Sequence, residues 1–319
     1  MFEKFLKEND IVFKTKYDFG STHGYKTPGL VDYYIEIDSV SKLQLVLKSV
    51  LKDNLDIMPV GEGTNLLIED VFKGVMVNWK GSGCTVVSKE LPGKEMTSKS
   101  LIKDEALNDI SSKVFLKVES GTTKSDLTEY CVKNGLSGLE FWAGIPGLVG
   151  GGLAMNSGAY DKDMKDLVAS IELLTVDGVK NIEAKDLKWS YRKLKLVKPS
   201  VIISAVFVLD KKEPEQIKVK VDEYVSDREK KHPLEYPSCG SVFKNPSCDK
   251  GAWFLIKDAG LSGLKIGGAM VSPKHTNFII NAGGAKAKDV IELIRSIKEK
   301  VKAKFGIELE EELRVIKNK

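Results

Sequence analysis

Ala143-Gly144-Ile145-Pro146-Gly147-Leu148-Val149-Gly150-Gly151-Gly152-Leu153-Ala154-Met155-Asn156-Ser157-Gly158-Ala159-Tyr160 is the stretch on which the fold turns. Six of its eighteen residues are glycine and none is charged, yet isoleucine, leucine, valine, methionine and tyrosine are interleaved throughout. A solvated linker does not have that composition. A backbone surface bare of side chains and packed against a flat ligand explains it better. A close strand–helix crossing is the structural alternative.

Upstream, Val60-Gly61-Glu62-Gly63-Thr64-Asn65-Leu66-Leu67 follows the short apolar run Asp56–Val60. Two glycines and two small polar side chains directly after a strand let backbone N–H groups approach a phosphate closely. The spacing is neither the Rossmann G-x-G-x-x-G nor a P-loop, and a tight turn would also account for it. Before it, residues 1–15 read as an amphipathic helix, Tyr33–Ile37 as a strand and Ser41–Leu51 as a helix. Strand-like runs then dominate from about Val75 to Leu209: Gly74–Asn78, Val114–Val118, Ile171–Thr175 and Val201–Val206. A helix is expected over Thr123–Asn134, and the polar block Ser88–Ser111 reads as a surface insertion. Glu213-Pro214-Glu215 opens a third region, with a boundary near Lys211, a helix over Glu215–Lys230, another over Ala287–Phe305 and a closing strand Leu313–Ile316. No internal repeat is visible.

The bulk numbers exclude several classes. With 319 residues, 42% hydrophobic and 29% charged, the chain is long enough for two or three domains and too apolar for disorder. Its formal charge of +4 is small and spread out, so nucleic-acid binding is not implied. Cys84, Cys131, Cys239 and Cys248 lack C-x-x-C spacing, and with three histidines in the chain neither a metal site nor a disulfide framework is expected. No run approaches a signal peptide or a membrane span, which makes the cytoplasm the expected location.

Other segments carry candidate chemistry. Ser190-Tyr191-Arg192 is unremarkable by composition. Pro237-Ser238-Cys239-Gly240-Ser241-Val242-Phe243-Lys244-Asn245-Pro246 brings a hydroxyl, an amide and a cation into a turn-rich segment. Without a neighbouring His or Asp in motif spacing, Ser241 is a poor nucleophile, and proton donation is the other use. Ile266–Asn277 is a glycine-flanked loop ending in polar residues. In the acidic Glu308–Arg314 run, strand alternation would put Glu312 and Arg314 on one face, opposite Leu313 and Val315. Lys230-Lys231-His232 is a basic patch that charge alone would leave as a solvated face.

Taken in order, from about Tyr25 to Ile316, these segments resemble the UDP-N-acetylenolpyruvoylglucosamine reductases. The match is most specific at Gly138-Leu139-Glu140-Phe141, Gly144-Ile145-Pro146-Gly147, Asn156–Tyr160 and Gly240–Pro246. The resemblance implies an α+β protein: an FAD-binding fold of the vanillyl-alcohol-oxidase type in two subdomains, 1–72 and 73–211, and an α/β substrate-binding domain at 212–319. It implies that FAD lies against Gly61, Glu62, Gly63, Thr64, Asn65 and Leu66, against Gly121, Thr122 and Thr123, and against Ile145, Pro146, Gly147, Gly150, Gly151, Asn156, Gly158, Ala159 and Tyr160. Arg314 joins that set.

The reaction implied is NADPH-dependent, FAD-mediated reduction of the enolpyruvyl ether of UDP-N-acetylenolpyruvoylglucosamine to UDP-N-acetylmuramate, a peptidoglycan precursor. Arg192 and Glu312 would stabilise the enolic intermediate and Ser241 would donate the proton to carbon. Tyr191, Arg228, Lys231, Asn245 and His275 fall at substrate-side positions, Arg228 and Lys231 facing the diphosphate. The short step from Arg192 to Pro199 matches the form of the family without an extra tyrosine-bearing loop, and a monomer is expected. The chain departs from the pattern at Lys26-Thr27-Pro28-Gly29, at Leu194 and in the length of Ser88–Ser111. An FAD oxidase of the same fold and a non-catalytic flavin- or sugar-nucleotide-binding protein are the rival readings.

Overall fold

The structure is a computed structural model that describes residues 1–87 and 113–317, so the expected insertion Ser88–Ser111 lies outside the described residues. The chain divides into two compact units, each built from separated segments: Met1–Phe13, Ile35–Gly61 and Met76–Ser226 in the first, and Lys14–Tyr34, Glu62–Val75 and Asp227–Lys319 in the second. These units cut across the sequential blocks expected from the sequence. The strands Leu30–Ile37 and Val71–Trp79 and the helix Pro214–Lys231 each start in one unit and end in the other. Among the described residues no helix is long and apolar enough to cross a membrane.

The first unit is organised by an antiparallel sheet whose path runs Gly178–Glu183, Val168–Thr175, Ser200–Lys211, Lys113–Glu119, Cys84–Val87, with Leu136–Ser137 paired to the end of Ser200–Lys211. The long strand Ser200–Lys211 is central because Val201–Leu209 is almost continuously apolar and can be buried on both faces. Side-chain alternation sends Leu116, Val118, Ile171, Leu173, Ala205, Phe207 and Leu209 into one core, which Leu127, Cys131, Phe141, Trp142 and Leu153 complete from outside the sheet. On the other face Phe115, Ala169 and Val206 pack together. There Lys117 pairs with Glu172 at 2.7 Å, and Glu172 accepts from the Ser204 hydroxyl at 2.6 Å. Thr123 caps the helix Lys124–Lys133 by accepting from the Asp126 N–H at 3.0 Å, which fixes where the sheet gives way to helix.

The second unit packs the helix Ala287–Phe305 over a small antiparallel sheet, Lys265–Ile266, Ala269–Val271 and Ile279–Asn281. Val290, Leu293, Ile294, Ile297 and Val301 form its buried stripe against Ala269, Val271, Ile279, Leu255 and Ile256. Full burial of each large aliphatic side chain contributes about 1.5–3 kcal/mol, so a carboxylate at Ile297 would break the unit. The helix starts where Asp289 accepts from the Lys286 N–H at 2.9 Å and stops at Gly306, whose φ of +70° takes the left-handed cap conformation. Leu66–Ile68 and Arg314–Ile316 pair in parallel in the same unit.

The helices expected over Ser41–Leu51, Thr123–Asn134, Glu215–Lys230 and Ala287–Phe305 are found as Val40–Lys52, Lys124–Lys133, Pro214–Lys231 and Ala287–Phe305. Two expectations are corrected. The N-terminal helix covers only Phe2–Glu8, ends at Asn9 and Asp10 (φ +50°), and gives way to the strand Phe13–Asp18. The closing strand begins at Arg314, so Glu312 lies ahead of it and shares no strand face with Arg314.

Candidate active site

In the first unit the segments around 121–123 and 145–151, both expected to hold FAD, come together with Gly61. Lys124 N donates to Gly147 O at 3.0 Å, Val149 N to Thr122 O at 2.9 Å and Gly150 N to Ser120 O at 2.8 Å, stitching residues 120–124 to 147–150. Gly147 has φ +108°, closed to other residues without strain. A Cβ on Gly61 would lie 3.2 Å from the Leu148 side chain, so this residue joins the same surface.

The glycines of the triplet differ in role. A Cβ on Gly150 would meet Ser120 at 2.9 Å and one on Gly152 would meet Trp142 at 2.6 Å, whereas one on Gly151 would meet nothing within 4 Å among the described residues. Gly150 and Gly152 therefore serve close packing. Gly151, exposed with Gly144 and Pro146, leaves a side-chain-free surface open. Gly121 likewise serves packing, since its Cβ would be 2.5 Å from Gly81 O. The Thr122 hydroxyl accepts from Gly83 N at 2.9 Å, and Lys124 is buried with its ammonium 5.1 Å from the Trp142 ring centre.

Arg192 sits in the same unit, at the tip of a hairpin formed by Lys188–Ser190 and Lys193–Lys195. Its φ of +57° is uncommon for a residue with a side chain. Arg192 Nη2 donates to Gly158 O at 2.9 Å, Nη1 lies 3.4 Å from Asp163 Oδ1, and the guanidinium carbon is 4.9 Å from the centre of the half-exposed Tyr191 ring. Asn156, expected to touch cofactor, is buried and bridges two segments: its Oδ1 accepts from Lys165 N at 3.1 Å and its Nδ2 donates to Ser190 O at 3.3 Å. Ala159 and Tyr160 continue in a small hairpin, where the exposed Tyr160 stacks on Tyr224 with centres 4.0 Å apart.

In the second unit Ser241 and Glu312, far apart in sequence, are brought onto paired segments. Ser241 bridges Phe278, Phe243 bridges Glu311, and Glu312 N donates to Val242 O at 2.8 Å. The buried Asn277 locks the serine segment like a missing strand: its backbone O accepts from Val242 N at 2.8 Å, its Oδ1 from Phe243 N at 3.0 Å, and its Nδ2 donates to Phe243 O at 2.9 Å. Asn65 reaches the same place, with Nδ2 donating to Glu312 O at 3.1 Å and its own O accepting from Arg314 N at 3.2 Å. Next to it Gly63 has φ +63°, and a Cβ there would lie 2.7 Å from the Phe19 ring. Thr64 is half-buried and Glu62 exposed, while Leu66 pairs with Arg314. Cys239 is structural: burial pushes its thiol up to about 12, and it donates to Leu66 O at 3.3 Å.

The substrate-side candidates of this unit divide. Arg228 is buried in the last turn of the helix Pro214–Lys231. Lys231 on the same helix is exposed and pairs with Asp227 at 2.7 Å. His275 lies against His232 (ring centres 5.3 Å) and Phe278 (4.9 Å). Burial drives both imidazoles toward the neutral form; His232 is lowered to about 4, with the charges of His275 and Arg228 adding to the effect. Asn245 Oδ1 caps the helix Ala252–Asp258 by accepting from Ala252 N at 3.1 Å, so that oxygen has a structural partner.

Comparison with known proteins gives the frame for these residues. The profile of an FAD binding domain matches residues 31–181, and that of the UDP-N-acetylenolpyruvoylglucosamine reductase C-terminal domain matches residues 232–316. The enzyme of that name from Geotalea uraniireducens is 36% identical over 292 residues, covering 91% of this chain and 89% of the relative. The chain belongs to the UDP-N-acetylenolpyruvoylglucosamine reductase family. The Lachnoclostridium phytofermentans member is 37% identical over 300 residues, covering 92% of this chain and 90% of the relative. A crystal structure of the reductase from Thermus caldophilus superposes with a TM-score of 0.74 at 25% identity, over 96% of this chain and 99% of that one.

The family fold is α+β, an FAD-binding domain followed by the C-terminal reductase domain. The residues present fit a flavin: Gly151 offers exposed backbone where, among the described residues, even an added Cβ would meet nothing within 4 Å, beside a Gly147 whose position only glycine can occupy without strain. Arg192 belongs to the first unit, and Ser241 and Glu312 to the second. Three residues were not singled out by sequence reasoning: Asp163, Tyr224 and Asn277. Asp163 sat in the charged run Asp161-Lys162-Asp163, which looks like a solvated turn, and its spacing from the glycine motif was the one available signal.

Proposed function

We propose that this chain reduces UDP-N-acetylenolpyruvoylglucosamine to UDP-N-acetylmuramate, with NADPH as reductant and FAD as cofactor, for peptidoglycan precursor synthesis. The observation that carries the reading is the pairing of Glu312 N with Val242 O at 2.8 Å, which puts the expected proton donor and the expected carboxylate on adjoining, doubly anchored segments. Bound FAD supplies the hydride relay from NADPH to the methylene carbon of the enolpyruvyl ether. Everything else falls to side chains.

Hydride addition to the methylene carbon leaves negative charge on the neighbouring carbon and its carboxylate. In this reading the Arg192 guanidinium, held by Gly158 O and Asp163, faces that charge. Glu312 stabilises the enolic form by holding a proton against it, and the Ser241 hydroxyl delivers the proton to carbon. A serine suffices because the enolate carbon is strongly basic and the Asn277 clamp keeps the hydroxyl-bearing backbone from drifting. Arg228 and Lys231 hold the diphosphate, with Tyr191, Asn245 and His275 around the sugar nucleotide. FAD rests on residues 61–66, 121–123 and 145–160 with Arg314. Apart from Arg314 on the cofactor side and Tyr191 and Arg192 on the substrate side, residues 1–72 and 73–211 serve the cofactor and 212–319 the substrate, in a cytoplasmic monomer that neither nucleic acid nor membrane needs to join.

The test is spectroscopic. Purified protein should be yellow, bleach anaerobically with NADPH, and regain its colour on addition of UDP-N-acetylenolpyruvoylglucosamine. Bleaching without recovery would overturn the substrate assignment, and a colourless protein that does not take up FAD would overturn the whole reading.

A further inference from the structure

We propose that Asp163 is a positioning residue that sets the Arg192 guanidinium for its work on the enolpyruvyl substrate; the proposal rests on the role given to Arg192 above. Arg192 enters this site from a left-handed backbone position (φ +57°), and its side chain is 17% exposed. Two oxygens of one small hairpin meet it: Gly158 O at 2.9 Å from Nη2 and Asp163 Oδ1 at 3.4 Å from Nη1. Gly158 and Asp163 are cross-strand partners in that hairpin. A Cβ on Gly158 would lie 1.9 Å from Asp163 Oδ1, so the carboxylate occupies the space that glycine leaves. Gly158 is thus needed for Asp163 to reach the arginine.

The hairpin is held in an unfavourable form. It closes on Tyr160 (φ +53°) and Asp161 (φ +60°), the two-residue turn that normally selects Asn-Gly. A tyrosine there persists only when its surroundings over-determine it, and its stack on Tyr224 does so. An ion pair at 26% carboxylate exposure adds little stability, so the strained hairpin is not explained by the energy of the pair. What the hairpin does is place one carboxylate at the edge of one guanidinium. Asp163 is itself oriented: its side chain accepts from the Asp166 N–H, its own N donates to Asp166 Oδ2 at 3.2 Å, and Lys165 Nζ stands 3.7 Å from Oδ2.

Asp163→Asn keeps the capping acceptor and the size but removes the charge, so the fold is preserved. Stopped-flow flavin absorbance of the FAD-loaded enzyme follows each half-reaction. Flavin reduction by NADPH should run at the wild-type rate, while reoxidation by UDP-N-acetylenolpyruvoylglucosamine should slow about 10- to 100-fold, the size expected of a mis-set group. In an Arg192→Ala background the same substitution should slow reoxidation no further. Asp166→Asn removes the neighbouring charge but keeps a side-chain oxygen to accept from Asp163 N and the backbone N–H that Asp163 accepts from, so Asp163 stays oriented and both half-reactions should be unchanged. Wild-type reoxidation in Asp163→Asn with slow Arg192→Ala would overturn the positioning role and leave that of Arg192 standing. Full additivity in the double variant, or slowing by Asp166→Asn, would reduce Asp163 to a structural residue. Wild-type reoxidation in Arg192→Ala would remove the role of Arg192 itself and this proposal with it.

Discussion

Gly158→Ala gives the most quantitative check on the surroundings of Arg192. The added methyl carbon would stand 1.9 Å from Asp163 Oδ1 and 2.4 Å from Lys162 O, where ordinary carbon–oxygen contacts need more than 3 Å. A carboxylate and a hairpin backbone must both give way, and overpacking of this kind costs about 1–3 kcal/mol. At roughly 2–4 °C per kcal/mol for a body of this size, the melting temperature should fall by about 2–12 °C. Two acceptors of the Arg192 guanidinium, Gly158 O and Asp163 Oδ1, lie on the displaced strands, so reoxidation of the flavin by the enolpyruvyl sugar should slow as well. Far-UV circular dichroism melts of FAD-saturated protein and stopped-flow absorbance read the two effects separately. Gly151→Ala is the comparator. With nothing within 4 Å of its Cβ, it should not lower the melting temperature of the apoprotein, and a mid-helix Gly→Ala change gains about 0.5–1 kcal/mol. Its effect should be confined to flavin retention. A Gly158→Ala protein that melts within about 1 °C of wild type would refute the steric argument and with it the placement of Asp163.

Three further outcomes are expected. Ser241→Ala should be reduced by NADPH at the normal rate but reoxidised by the enolpyruvyl substrate about 10² to 10⁴-fold more slowly, and impaired flavin reduction instead would place the serine elsewhere. Gly147→Val, forcing a β-branched residue to φ +108°, should yield a folded but colourless protein after FAD is offered; a yellow one contradicts the cradle. His232 is lowered from 6.5 to about 4 mainly by burial, so it is neutral when folded, and the unfolded chain binds the proton first. Its contribution is therefore complete above pH 6.5 and lost as pH falls from there through 4. Because the ring is only half-buried, solvent screening limits this to about 1–2 kcal/mol. Chemical denaturation at several pH values should show a larger loss in wild type than in His232→Asn, where the partly buried His275 alone still carries a loss of the same sign.

Local periodicity was a good guide wherever one pattern repeated long enough. The Ala287–Phe305 helix is legible from Val290, Ile294, Ile297 and Val301 and from Gly306 just beyond it. The N-terminus misleads for the opposite reason. Phe2, Phe5 and Leu6 fit a helix and Phe13, Thr15 and Tyr17 a strand, and over so few residues a single helix through position 15 fits nearly as well. The stop at Asn9 and Asp10 was present in the sequence as a turn-type pair. Glu312-Leu313-Arg314-Val315 alternates as a strand would, but backbone pairing with Leu66–Ile68 starts only at Arg314.

The sequence by itself determined, through ordered motifs, which family the chain belongs to, and it pointed to an uncharged, glycine-rich backbone suited to a flat ligand; those properties depend on residue type and order. Tertiary structure decided what each glycine is for. Gly151 leaves an open surface, while Gly150, Gly152 and Gly158 make room for Ser120, Trp142 and Asp163, and a residue without a side chain gives no sign of which neighbour needs its space. Only the fold, likewise, turned Asn156 and Asn277 from polar loop residues into clamps and a charged turn into the seat of Arg192. Partners separated along the chain are chosen by packing and by unsatisfied backbone groups, and neither is written in local sequence.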